Sequence, residues 1–376
     1  MNSKQVVAQT FKQIANDILK GDYASKVRIA LTTIGSEHSD KLWEDVVKLV
    51  NPKEYDLILI GQAVANIEHY PAETLEEAHS IMNKLLKENK IDGAVTLHYD
   101  FSIGTSTVGK VTTPAFGKEM FIATTTGTSA FKRVEAMVKN TILGISAAKA
   151  SGIAEPTVGI LNVEGARQVE KLLKELVAKG YKINFAESAR ADGGCVMRGN
   201  DLLLATPDIM VCDSLTGNLL IKMFSSFNSG GNYETTGAGY GPGLPTCPDN
   251  PQKLVNIISR ASGASQIASA LSYCAKIASH KIMEINAEEL RSAQKAGLDD
   301  LFKQAEKSAE DNAEVAMPPK EIVTFQISGI DILDIEDFAQ KLWKENIYAE
   351  TGMGCTGPII LVSDKNADKA LKIVGQ

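Results

Sequence analysis

Cysteine is scarce and odd in number, five in 376 residues, with no Cys-x-x-Cys pair. That speaks against a disulfide framework and points to a reducing, cytoplasmic setting. Histidine is equally thin. His38, His69, His79, His98 and His280 are scattered, and no two stand at metal-ligand spacing, so zinc is not expected. No apolar run reaches membrane-spanning length, and the Met-Asn-Ser-Lys start shows no signal-peptide core. An excess of cations is missing too. The 39 Lys and Arg are outnumbered by 46 Asp and Glu, for a net charge of −7. Such a surface excludes a non-specific nucleic-acid partner. An anionic substrate would have to be met by local basic residues.

What is present is apolar residues in quantity, 44% of the chain, enough for a large core. Strand and helix patterns alternate. Val27–Thr33, Tyr55–Gly61, Asp92–His98, Val158–Val163, Lys182–Phe185 and Ile209–Cys212 read as strands. Lys41–Val50, Thr74–Asn89 and a long segment ending at Ala150 have helical spacing. The alternation predicts an α/β fold with a mostly parallel sheet. Asn256–Ile285 and Glu288–Glu314 are helical in propensity. The prolines of Ala316-Met-Pro-Pro-Lys320 stop the second of these. Beyond them come a strand at Ile322–Ile327, a helix at Asp337–Glu345, a strand at Pro358–Val362 and a last helix at Asn366–Val374. We read residues 1–295 as a main α/β domain, 296–320 as a helical connector and 321–376 as a small α/β appendage.

Six features invite a chemical reading. In Asp213-Ser-Leu-Thr-Gly-Asn-Leu-Leu-Ile-Lys222 a short buried strand leads into an Asp, a Thr-Gly-Asn turn and a Lys. Gly217 would let the backbone approach a ligand, and the following helix would aim its N–H groups there, with Lys222 one turn in. That suits a phosphate or an acyl phosphate. A capped strand-to-helix turn with a solvated lysine explains the same residues. Cys355 lies in Gly-Met-Gly-Cys-Thr-Gly-Pro, where flanking glycines leave room at sulfur for an acyl group. A structural cysteine in a tight turn is the alternative. Cys195, Cys212, Cys247 and Cys274 read as packing residues. Gly104–Lys110 has the spacing G-x-x-x-x-G-K, but Val111 follows where a P-loop needs a hydroxyl, which excludes a nucleotide triphosphatase. That hydroxyl-rich loop and Thr125–Ser129 would either take an anion or simply cap helices. Gly237–Gly243 has the wrong spacing for a dinucleotide fingerprint and reads as a cleft-lining or subunit-contact loop. Arg198 would meet phosphate bidentately or form a surface salt bridge.

The D-x-x-T-G-N-x-x-x-K pattern resembles the corresponding turn of the phosphate acyltransferases of lipid synthesis and of phosphotransacetylases. Pro156–Val163, Phe185–Gly194 and Tyr233–Gly243 extend the likeness. The tail Glu350–Val362, with Cys355, narrows it: the chain resembles the catalytic alpha subunits of component C of the glycine/sarcosine/betaine reductase complexes. The resemblance implies a three-layer αβα fold of the phosphate acyltransferase and isopropylmalate dehydrogenase type, with a small appendage. It implies an anaerobic role in which a two-carbon unit carried by a selenoprotein, component A, becomes an acetyl thioester on Cys355. Inorganic phosphate then cleaves that thioester to acetyl phosphate. N–H groups around Gly217 and Asn218, with Thr216, Lys222 and Arg198, would hold phosphate and the oxyanion. Asp213 would orient them. A ketosynthase-like beta subunit would be a stable partner and component A a transient one, with no metal or organic cofactor. A stand-alone phosphate acyltransferase and a non-catalytic scaffold for the beta subunit are the rival readings. Phosphorolysis needs the thioester carbonyl within about 3–3.5 Å of the attacking oxygen, so the appendage is expected to bring Cys355 over the cleft.

Overall fold

The computed structural model describes residues 26–190, 193–231, 240–311, 316–328, 330, 335–354 and 357–375. The chain forms two compact units, Met1–Ala296 and Gly297–Gln376. The first unit runs β1 (Val27–Thr32), α1 (Lys41–Leu49), β2 (Tyr55–Gly61), β3 (Glu68–Pro71), α2 (Leu75–Lys87), β4 (Gly93–Thr96), β5 (Thr105–Thr112), β6 (Glu119–Thr128) and α3 (Arg133–Ala150). It continues with β7 (Thr157–Leu161), α4 (Ala166–Ala178), β8 (Asn184–Phe185), β9 (Val196–Met197), α5 (Gly199–Leu204), β10 (Ile209–Val211) and α6 (Ser214–Asn228). After β11 (Gly241–Pro245) and β12 (Val255–Ile257) come α7 (Ala264–Ser279) and α8 (Ile282–Lys295).

Among the described residues all twelve strands join one sheet, in the order β3-β2-β1-β4-β12-β11-β5-β6-β10-β7-β8, with β9 also on β7. The sheet is two parallel blocks. β2, β1, β4 and β12 run together, and so do β6, β10 and β7. Between them β11 is antiparallel to both β12 and β5, and β5 is antiparallel to β6. Three reversals leave the two blocks running in opposite senses.

Helices cover both faces, which makes three layers. α2 buries Ala78, Met82, Leu85 and Leu86 against Ala30, Ile58 and Ile60. Its start is fixed locally, because Thr74 Oγ1 accepts from the Glu77 N–H and Glu77 Oε2 from the Glu73 N–H. On the second block, Gly144 of α3 sits against Ala123 and Ile209, and α6 packs on the other face over Ile122 and Met210.

Several sequence expectations change here. The hydroxyl-rich segments around Gly104–Lys110 and Thr125–Ser129 are largely strand, not loop. Thr105, Ser106, Thr107, Thr125 and Ser129 are buried, and four of them bond in pairs: Thr107 Oγ1 lies 2.8 Å from Thr125 Oγ1, and Ser129 Oγ donates to Ser106 Oγ at 2.6 Å. Threonine's branched Cβ suits a strand, and the paired hydroxyls satisfy each other in the core. Lys110 bonds Glu119 at 2.5 Å and lies over the Tyr273 ring, so it serves the fold. Asn256 begins no helix; it is the buried middle of β12, and the helix starts only at Ala264. Gly241–Pro245 is a central strand, packed so closely that a Cβ on Gly241 would lie 1.8 Å from Val108 O. Residues 237–239 of that expected loop lie outside the described residues.

The second unit begins with α9 (Leu298–Asp311). It then builds an antiparallel sheet of order β13-β15-β14 from β13 (Phe325–Ile327), β14 (Ala349–Gly354) and β15 (Gly357–Val362). α10 (Ile335–Lys344) and α11 (Ala367–Val374) supply Leu342, Ala370 and Val374 to the core they share with Ile360 and Val362. β14 was not expected, because its glycines mask the strand pattern.

Gly217 is the tightest point between α6 and the sheet. A Cβ there would stand 1.9 Å from Thr124 O, a backbone atom that cannot rotate away. Gly217→Ala should therefore cost about 1–3 kcal/mol, as overpacking does, read as a lowered midpoint in denaturant. An unchanged midpoint would show that the helix can slide off the sheet.

Candidate functional site

The first block has its topological switch at β1, where the chain goes to β2 on one side and later to β4 on the other. Ligands in open α/β sheets sit outside the carboxyl ends of strands at such a point. Three loops meet there. The one after β1 is pinned by Glu37 N–H to Arg260 O at 3.1 Å and by His38 Nε2 to Ala261 O at 3.0 Å. Gln62, after β2, donates from its backbone to Thr33 Oγ1 at 2.6 Å and from its side chain to Asp40 Oδ1 at 2.8 Å. The loop after β12 carries exposed Arg260 and leads into α7, whose N-cap, Gly263, offers no side chain to the first N–H groups.

Lys222 belongs to this end. Desolvation lowers its ammonium pKa, and the Glu37 carboxylate opposes that shift, so the two lie within electrostatic reach. The residue nonetheless exposes much of its surface. The exposure decides availability, so the cation is open to a ligand. Asn218, also exposed, stands one turn earlier on the same side of α6.

The N-terminus of α6 differs from expectation. Thr216-Gly217-Asn218 is no turn but lies within the first turn and a half of the helix. Asp213 is its cap: Oδ1 accepts from the Leu215 and Thr216 N–H groups, each at 3.1 Å, and Oδ2 from Thr216 Oγ1 at 2.6 Å. Burial raises the Asp213 pKa, but the Thr216 hydroxyl and N–H, the Arg133 charge and the Leu215 N–H outweigh it and hold the carboxyl below its ordinary value. The Gly217 N–H is spent on Asp213 O at 3.0 Å, and that of Asn218 falls inside the helix. The chain's own carboxylate thus occupies the helix end assigned to phosphate. The glycine serves helix–sheet contact, not ligand approach.

Lys222 is the ninth residue of α6, which puts it roughly 12 Å along the axis from Ser214, more than two turns in and not one. The structure therefore separates the expected cluster. Asp213 and half-buried Thr216 follow β10, and exposed Arg198 follows β9, its N–H donating to Asp201 Oδ2 at 3.0 Å. Lys222 is carried back toward the other block. Arg260 was missed. Its signal was a Ser-Arg pair before a Gly and a helix, hidden inside a segment read as continuous helix.

Cys355 lies outside the described residues; its flanking strands pair as far as Gly354 with Gly357. Cys195, Cys212 and Cys274 are buried. Burial, then Glu170, pushes the Cys195 thiol up to about 12, and burial also raises Cys212 and Cys274. Cys247 is exposed, so it is not the packing residue expected. Among the described residues no group of three His, Cys, Asp or Glu is placed to hold a metal. No described helix is long and apolar enough to cross a membrane.

Comparison with known proteins adds the family. The fatty acid synthesis protein model matches residues 27–361. The glycine/sarcosine/betaine reductase complex component C subunit alpha of Peptoclostridium acidaminophilum is 50% identical over 380 residues, 99% of this chain and 97% of its own. A phosphate acyltransferase of Thermotoga neapolitana is 28% identical over 238 residues, 56% of this chain and 68% of its own. A branched-chain phosphotransacylase of Enterococcus faecalis V583 overlaps 67% of this chain and 99% of its own at 12% identity and a TM-score of 0.46, too remote a likeness to add weight. On the family match and the end-to-end relative, the chain belongs to the fatty acid synthesis protein family, which holds the phosphate acyltransferases and the component C alpha subunit.

Proposed function

We propose that this chain is the acetyl-phosphate-forming alpha subunit of a component C in an anaerobic glycine, sarcosine or betaine reductase complex. One observation carries the reading: 50% identity along 99% of the chain, a span that includes the segment around Cys355. A ketosynthase-like beta subunit is the stable partner under this reading, and the selenoprotein component A the transient acyl donor. The setting is cytoplasmic.

The chemistry is thioester phosphorolysis. The acetyl group is carried on the sulfur of Cys355. An oxygen of the phosphate dianion attacks the carbonyl carbon, a tetrahedral oxyanion forms, the C–S bond breaks and the thiolate leaves with the bonding pair. Acetyl phosphate departs. Phosphate is a competent nucleophile near neutrality, so no strong base and no cofactor is required. The demand is to place the anion and stabilise the oxyanion with fixed donors. Lys222 and Arg260 are the cations of the crevice at the carboxyl ends of β1, β4 and β12, with the uncapped start of α7 and Asn218 beside them. Asp213 and Thr216 act by fixing α6, and Arg198 has no part in binding phosphate.

The thiol role is tested by Cys355→Ser, since a hydroxyl is a far poorer acyl carrier at neutral pH. Within the complex this variant should fold and form no acetyl phosphate; formation at the native rate excludes the carrier role. Full activity of the same variant on free acetyl-coenzyme A would instead favour a stand-alone phosphate acyltransferase, the reading that the Thermotoga relative supports.

The phosphate end is tested by Lys222→Ala and Arg260→Ala. Each removes one charge-assisted contact, worth about 1.5–3 kcal/mol, so the phosphate KM should rise roughly ten- to a hundredfold. Arg198→Ala should leave it unchanged. A rise confined to Arg198→Ala would move the site to the other end of α6.

The Lys222 shift also sets a pH dependence. Its pKa is lowered, so the cation is lost as pH rises through a value below that of an ordinary lysine. Phosphate affinity should fall on the alkaline side at lower pH in the native chain than in Lys222→Arg. Identical alkaline limbs would contradict the contact.

A further inference from the structure

The side chains of β2 alternate across the sheet. Ile58 and Ile60 pack under α2, so Tyr55, the first residue of the strand, points to the other layer, where α1 packs on α7. The two helices do not close over it. A cavity of about 350 Å³ remains, lined by Tyr55, by Leu49, Asn51 and Glu54 between α1 and β2, and by Ser265, Ser269 and Ser272 of α7. That is the lower end of the ~300–1,000 Å³ usual for small-molecule sites.

Two groups of this cavity lack what their chemistry calls for. Tyr55 is 1% exposed, and its hydroxyl has no hydrogen-bond partner among the described residues, although buried polar groups are almost always paired. Burial, then the Glu54 charge, pushes its pKa up, so the phenol remains a proton donor. Glu54 is the one charged residue of the lining. Its Oε1 accepts from Asn51 Nδ2 at 2.8 Å and its Oε2 from Ser272 Oγ at 3.1 Å. Both donors are neutral, and among the described residues no cation pairs with this carboxylate.

The lining narrows the ligand. A phosphate or carboxylate would meet Glu54 with no positive charge to offset it. A metal ion calls for more anionic or imidazole ligands than one carboxylate, and no described group of three His, Cys, Asp or Glu is placed to hold one. An ammonium answers Glu54 with a charge-assisted hydrogen bond. The serines stand at i, i+4 and i+7 on α7, which lines one side of the cavity with hydroxyls for roughly 10 Å. With the Tyr55 hydroxyl they suit a molecule that carries hydroxyls of its own.

We propose that the cavity between α1 and α7 binds a small hydroxylated organic ammonium ion, with its cation on Glu54 and its hydroxyls on the serines and Tyr55. The site is reached at the amino end of β2, whereas the proposed phosphate crevice lies at the carboxyl ends of the same block. It does not depend on the acyl-transfer reading.

The test is isothermal titration calorimetry of the full-length chain with glucosamine, in mildly acidic buffer where its ammonium is charged. Saturable binding is expected. Glucose lacks the charge and n-butylamine the hydroxyls, so each should bind at least about tenfold more weakly. Glu54→Gln keeps the shape of the lining and should weaken glucosamine at least about tenfold, as loss of a charge-assisted contact does. Tyr55→Phe should weaken it roughly two- to tenfold without lowering the melting midpoint, because the hydroxyl it removes is bonded to nothing in the chain. Absence of saturable heat with glucosamine overturns the proposal. So does equal binding of glucose, or equal binding of n-butylamine, which would fit a lysine side chain instead. Binding indifferent to either variant, or a Tyr55→Phe chain that melts earlier, also overturns it.

Discussion

The arrangement of this protein depends on a reversal in the middle of its sheet. β11 and β5 run antiparallel to their neighbours, and through them two parallel blocks meet in opposite senses. A helix that leaves the carboxyl end of one block must travel back toward the carboxyl ends of the other. α6 makes that journey. Its capped start belongs to β10, and its ninth residue, Lys222, arrives near Glu37, which follows β1. The contact of Gly217 with Thr124 O keeps the helix low enough on the sheet for this to happen. Without the reversal, the end of the sheet that Lys222 reaches would hold the amino ends of both blocks; with it, that end holds the carboxyl ends of the first block.

That division has an electrostatic logic. The start of α6 needs an acceptor for its unpaired N–H groups, and Asp213 supplies one from within the chain. A carboxylate in that position also repels a phosphate. The start of α7 has no such cap, and the nearby cations are Arg260 and Lys222. In the proposed chemistry the phosphate therefore sits where the chain has withheld its own negative charge. Glu37 is the exception. Its carboxylate favours the charged form of Lys222 and so keeps a cation in a place where desolvation works against it.

Much of the fold could be read in the residues. Apolar runs bounded by turn residues marked β1, β2, β7 and β10, and helical spacing from Thr74 marked α2. The middle of the sheet was not legible. β5 and β11 are rich in Thr, Ser, Gly and Pro, the residues of loops, and only tertiary contact shows that Thr107 pairs with Thr125 and that Gly241 admits a neighbouring backbone. Sequence spacing placed Asp213, Thr216, Gly217, Asn218 and Lys222 in one group, because a linear motif does not show which residues become helix. It also hid Arg260, whose place follows from the path of β12. The likeness carried by the Thr-Gly-Asn segment and the cysteine tail was legible, and the end-to-end relative agrees with it.

Everything functional in this account turns on an acetyl group held by one sulfur. Intact-mass measurement of the full chain after incubation with acetyl phosphate, followed by peptide mapping, reads that directly. The account predicts a single acetyl adduct, located on the peptide that contains Cys355 and released by inorganic phosphate. An adduct on exposed Cys247 alone, or no adduct while acetyl transfer to coenzyme A proceeds, would contradict it.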